Sequence, residues 1–157
     1  MYCCVRRDSK LSGVLHVLLH MLGMRAPATS EQLARTMGTN PVVIRRVMAG
    51  LRDQGFVTST KGHGGGWMIA CNPAAVTLAD LYRAVGEPTL VAMGHRTEAP
   101  ACVVEQAVNS ALDSAFREVE AVFQAHLSAV TLAALSADFN RRLAERGQTV
   151  EEQTHAT

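Results

Sequence analysis

A mainly α fold carrying one small β-hairpin wing is predicted by three features of the chain. Apolar residues recur at helical spacing along most of its length. The period switches to short β-branched runs only once, around residues 56–71. Aromatic residues are only 4% of 157, while alanine, valine and leucine dominate, which favours helix packing over a sandwich. Apolar residues reach 48%, enough for a real core, and the length suits one domain with an appended element. Net charge is +1, so any surface for a polyanion has to come from local clustering, as at Arg45, Arg46, Arg52 and Lys61.

The first 28 residues imitate a signal peptide: a basic start, an apolar run, small residues at Ala26 and Ala28. Asp8 and Lys10 before the run, and His16 and His20 within it, argue for a helix of the folded domain instead. Asp8 or Ser9 can cap that helix, and Leu11, Val14, Leu15, Leu18 and Leu22 follow at helical spacing to Gly23. Val17, Leu19 and Met21 make its other side apolar, so it needs burial on two sides, one of them offered to a partner subunit. Thr29-Ser30 caps a short helix, SEQLARTMG, which Gly38 stops. Thr39 or Asn40 then caps a second helix, PVVIRRVMAGLRDQG, with Pro41 at its first position. Ile44, Val47, Met48 and Leu51 line its buried face, leaving the arginines and Val43 elsewhere. Two helices joined by a tight glycine turn make a helix-turn-helix.

FVTST and WMIAC read as two strands joined by KGHGGG. That loop is no phosphate cradle: its lysine precedes the glycines and a strand follows them, where a P-loop needs GK[ST] and a helix. A hairpin turn would need only two glycines, so the run Gly64-Gly65-Gly66 beside Lys61 and His63 suggests close approach to another surface. After a helix-turn-helix that surface is DNA, with a slim cationic loop entering a groove about 6 Å wide. The fold is therefore a winged helix-turn-helix.

Thr77 opens a further helix, TLADLYRAV, with Asp80 placed for a capping box. Residues 87–101 show no period. From Cys102 comes the longest helix. Its apolar seam, Val104, Val108, Ala111, Ala115, Val119, Val122 and His126, steps by three and four with one stutter. Leu112, Phe116, Phe123 and Leu127 form a second flank, so one stripe can pack on the domain and the other on a second subunit. Thr131 restarts a helix through Leu132, Leu135, Phe139 and Leu143. The expected organisation is a DNA-binding domain at 8–86, a loop at 87–101, dimerisation helices at 102–146 and a polar, disordered tail at 147–157.

The stretch GTNPVVIRRVMAGLRDQGFVTSTKGHGGGWMIACNPAAVTLADLYRAV resembles the Rrf2 family of winged-helix regulators. The glycine wing followed by an aromatic residue, then the VTLADL helix start, carries the likeness, which extends from Leu11 to the TLAAL stretch at 131–135. The resemblance implies a homodimeric transcription regulator on a near-palindromic operator, with the long helix as dimer spine. Cluster-bearing members of the family hold iron and sulfur with three cysteines in the loop and the start of that helix. Here residues 87–110 contain Cys102 alone, beside Gly94, His95 and Glu98, so the chain resembles the cluster-free branch, and no cofactor is expected. A cluster held by non-cysteine ligands is the alternative within regulation. A pure protein-binding winged helix is the alternative outside it.

Ser30, Thr39, Asn40, Val42, Val43, Arg45, Arg46, Lys61, His63, Gly64 and Gly65 are the candidate DNA contacts. Cys102, at a helix start that favours a thiolate, is the candidate redox or electrophile sensor; a small-molecule effector held between the domain and the spine is the other route to a signal. Cys71 reads as packing, and Cys3 and Cys4 as a mobile tail. His16 and His20 share a helix face, but no third ligand is evident, so they read as interface histidines and no metal is expected. No convergent acid, base or nucleophile set points to an enzyme. No apolar run is long enough for a membrane span, and the four cysteines lack a disulfide or zinc pattern, which fits a reducing cytoplasm.

Overall fold

The computed structural model describes residues 10–87 and 102–147. Eight elements follow in order: α1 (Lys10–Gly23), α2 (Ser30–Thr36), α3 (Pro41–Asp53), β1 (Val57–Thr60), β2 (Gly66–Ile69), α4 (Leu78–Ala84), α5 (Val103–Ala129) and α6 (Leu132–Glu145). Helices with a two-stranded antiparallel hairpin are the fold class read from the sequence. The predicted cap at Asp8 or Ser9, Cys3 and Cys4, Gly94, His95 and Glu98, and the tail after residue 147 lie outside the described residues.

Local chemistry sets the helix starts. Thr29 caps α2 in a capping box: its Oγ1 accepts from the Gln32 N–H, and the Thr29 N–H donates to Gln32 Oε1. The cap is thus Thr29 and not Ser30. Asn40, not Thr39, caps α3, accepting from the Val42 N–H at 2.8 Å ahead of Pro41. Thr77 and Asp80 form the second capping box, at α4, and the Thr77 hydroxyl, then its N–H, hold the Asp80 carboxyl below the usual carboxylate range.

One core joins these elements. Leu18 of α1, Leu33 of α2, Met48 of α3, Val57 of β1, Leu81 of α4 and Leu132 of α6 are fully enclosed in it. At α1 the two-sided apolar pattern is filled largely from within the chain. Val14, Val17, Leu18 and Met21 are buried, and α4, β2 and α6 all pack against the helix. The second side therefore does not require a partner subunit, because α6 folds back to cover it.

The join between α5 and α6 is stitched to the segment before α4. Leu78 N–H donates to the Val130 carbonyl at 2.9 Å, Leu132 N–H to that of Val76 at 2.8 Å, and Thr77 and Thr131 pair as an isolated antiparallel bridge. Both threonines are also helix caps, Thr131 accepting from the Ala134 N–H. Tyr82 of α4 meets Phe123 of α5 edge to face, with ring centroids 5.3 Å apart.

Candidate nucleic-acid interface

α3 has two unlike faces. Ile44, Met48 and Leu51 are buried, and the opposite side presents Val42, Val43, Arg45 and Arg46. Val42 is 62% exposed and Val43 50%, at the first turn of a helix that follows a tight turn. Two exposed valines there have no role in the core. Asn40 uses its Oδ1 for the cap, which leaves its NH₂ as a donor. Thr39 beside it is exposed.

The two arginines differ. The Arg45 guanidinium lies 3.3 Å from the Glu31 carboxylate at the start of α2, with both side chains over half exposed. Arg46 is exposed and has no ion-pair partner among the described residues. An exposed pair of this kind contributes little to stability, so Arg45 is only loosely tethered and Arg46 is not tethered at all.

The hairpin pairs Val57 with Ile69 and Thr60 with Gly66, leaving residues 61–65 as its loop. Lys61 and His63 are exposed on it. The glycines have separate reasons to be there. Gly62 and Gly64 sit at φ +99° and +76°, where side chains are strained. A Cβ on Gly65 would lie 2.4 Å from the Thr60 carbonyl oxygen, and one on Gly66 2.7 Å from that of Ala28. The close approach inferred from the run of glycines is thus, at Gly65 and Gly66, an approach of the chain to itself.

Gly66 must be bare because β2 is pinned to the α1–α2 connection. Ala28 and Trp67 exchange main-chain hydrogen bonds of 3.0 and 2.9 Å, and the Trp67 indole N–H donates to Ser30 Oγ at 3.0 Å. Ser30, a candidate phosphate donor by sequence, is buried and holds the wing. Nothing in the spacing of residues 30 and 67 announces this pairing.

The 27-residue α5, about 40 Å long, buries none of its side chains. Val104 is 71% exposed and Val122 60%, and Val108, Ala111, Ala115 and Val119 of the same seam are exposed as well. Of the second flank, Phe116, Phe123 and Leu127 are half-buried, with Phe123 against Tyr82 of α4, whereas Leu112 is exposed like the seam. Val103, exposed beside Cys102, extends the apolar surface one residue beyond the seam read from sequence.

Cys102 is the N-cap residue of α5 and exposed; the N–H groups of Glu105 and Val104 hold its thiol below the usual range. Cys71, just past β2, is half-buried, and burial pushes its thiol up. On α1, His16 and His20 place their Nε2 atoms 3.0 Å apart. His20 is buried, its Nδ1 has no hydrogen-bond partner, and its ring lies 6.3 Å from that of Phe139 on α6. Burial first, then the field of His16, pull its pKa below the ordinary value. No group of three or more His, Cys, Asp or Glu that could hold a metal occurs among the described residues.

A short helix, a capped second helix with an outward row of valines and arginines, and a hairpin pinned beside them define a winged helix-turn-helix regulator. The chain belongs to the Rrf2 family, whose model, described as that of an iron-dependent transcriptional regulator, matches residues 7–138. YwnA of Bacillus subtilis (strain 168), named for HTH-type transcriptional regulation, is 30% identical over 125 residues, covering 80% of this chain and 92% of YwnA. A Lactobacillus plantarum crystal structure, named for transcriptional regulation, superposes with a TM-score of 0.72 at 26% identity, over 86% of this chain and 92% of that one. CymR, the global cysteine regulator of B. subtilis, shares the fold, with a TM-score of 0.56 at 20% identity over 87% and 98% of the two chains. The protein is thus a transcriptional regulator and not an enzyme. Iron does not fit the described residues: Cys71 and Cys102 lie on different elements and no third ligand joins either. No described helix is long and apolar enough to cross a membrane.

Proposed function

We propose that the protein is a cytoplasmic homodimeric repressor that works without an iron–sulfur cluster. In this reading α3 enters the major groove, the loop 61–65 enters the adjacent minor groove, and two such heads read a near-palindromic operator. The observation that carries it is the division of α3, whose inner face closes the core while Val42, Val43, Arg45 and Arg46 stand outside it. The exposed seam of α5 supports the dimer: a long helix with no buried residue has unused apolar surface, and its Ala111 and Ala115 would let two backbones approach. The sensing route is either the Cys102 thiol or a small molecule.

The test is binding to DNA recovered by selection from a random pool. Arg46→Ala and Lys61→Ala are each expected to weaken binding about tenfold. A side chain that contacts only phosphate lowers the salt slope by about one and affects all sequences alike. One that reads a base relaxes preference at a single position instead. If neither substitution changes affinity for any selected DNA, the groove assignment fails and the winged helix is a protein-binding module.

A further inference from the structure

Between the end of α1, the segment that follows it and the wing strand β2 lies a cavity of about 190 Å³. Its lining is chemically unusual. Three methionines, Met21 of α1, Met24 just past its end and Met68 of β2, line it with Trp67, Ala28 and Arg25. Thioethers pack favourably against aromatic rings and adapt to their shape. Arg25 is exposed and, like Arg46, has no carboxylate partner among the described residues, so its guanidinium is available at the rim. A cavity of roughly 150 Å³ accepts a benzene ring, so this one takes a single ring with a short substituent.

We propose that this cavity binds a small aromatic carboxylate, the ring among the methionines and Trp67 and the carboxylate on Arg25, and that its occupancy lowers affinity for the operator. The binding site stands on the cavity itself; the effect on the operator rests on the regulatory function proposed above. The walls supply the coupling. Ala28 and Trp67 are the residues whose main-chain bonds pin β2, and the Trp67 indole reaches Ser30 at the start of α2. A ring wedged beside them presses on the wing and on the helix-turn-helix together. This places the effector at the base of the wing and not between the domain and the spine.

Trp67 is the one tryptophan of the chain, so its fluorescence reports on this cavity directly. The experiment titrates the full chain with benzoate and phenylacetate at constant ionic strength, with acetate as the ionic control and benzamide as the uncharged comparator. Saturable changes are expected with both acids and at least tenfold weaker binding of benzamide. Arg25→Gln should weaken benzoate about tenfold, towards benzamide. Ala26→Phe, an exposed lining position, should abolish binding without changing the melting temperature.

In parallel, saturating benzoate should weaken binding to selected DNA about fivefold in wild type and not in Ala26→Phe. Non-saturating responses, or responses equal in wild type and Ala26→Phe, overturn the site. Saturable binding with unchanged DNA affinity overturns the effector role. Arg25→Gln that weakens DNA binding without ligand, while benzoate binding stays intact, makes Arg25 a phosphate contact and removes it from the cavity. A chain that binds no DNA at all defeats the regulatory reading, while the fluorescence still decides the site.

Discussion

Helices α1 and α5 are both rich in apolar residues and have opposite fates. α1 buries Val14, Val17, Leu18, His20 and Met21 within 14 residues, and α5 buries nothing within 27. α1 is surrounded by elements of its own chain, while α5 packs on α4 along one flank, with Phe123 on Tyr82, and leaves its valine seam in the open. The same hydrophobic effect therefore serves folding in one helix and is left available for association in the other.

This contrast is broken most forcefully at its two centres. Leu18→Ala, at a fully enclosed position of α1, should cost about 3 kcal/mol and lower the melting temperature at every protein concentration. Val119→Glu on α5 should instead leave the fold intact by circular dichroism and produce monomers in sedimentation analysis. Affinity for the operator should fall by about a hundredfold or more, since one half-site alone binds weakly. Wild type should melt higher as its concentration rises, and Val119→Glu should not. A wild-type chain that sediments as a monomer at micromolar concentration would refute the use of α5 for assembly.

A smaller effect sharpens the α1 side. His20 has a folded pKa below its unfolded value, so the folded chain binds fewer protons. Its stabilising contribution is complete above about pH 6.5 and is lost as the pH falls from there through the folded value. The neighbouring charges are few. Asp138, Arg141, Arg142 and Glu145 of α6 pair among themselves, as do Asp80 and Arg83 of α4, and β2 carries none. His16 is the charge whose field reaches His20. Melting temperature should drop between about pH 7.5 and 5.5, and by less in His20→Phe; equal drops in the two proteins would remove His20 as the cause.

The smallest effect concerns the start of α5. In a background with Cys3 and Cys4 changed to serine, Cys102 should react with a thiol reagent at neutral pH about tenfold faster than Cys71. It is exposed and its thiolate is favoured, whereas burial opposes that of Cys71. Equal rates would withdraw Cys102 as a candidate sensor.

What the sequence made legible was everything with a short period. The caps at Thr77 and Thr131, the hairpin, the inner face of α3 and the outward seam of α5 are patterns of spacing and neighbour chemistry. Contacts between distant residues were not legible. Ser30 reads as a cap and a DNA contact from its place at a helix start, and only the fold brings Trp67 onto it. Gly65 and Gly66 looked like concessions to DNA because sequence cannot show the Thr60 and Ala28 carbonyls that crowd them. The second apolar side of α1 suggested a partner because nothing local says that α6 returns to cover it. Glu31 and Arg45, 14 positions apart, are set against each other only by the fold.

The paired caps at Thr77 and Thr131 have a mechanical consequence. Two helix starts held together by main-chain hydrogen bonds on both sides form a weld and not a hinge, so a rotation of the head carries the base of α5 with it. In a dimer the two heads would then behave as the jaws of a calliper set to one opening. Inserting a single base pair at the centre of an operator turns one half-site by roughly 34° relative to the other. A jointed molecule would follow that turn, whereas a welded one has to bend the DNA or give up a contact.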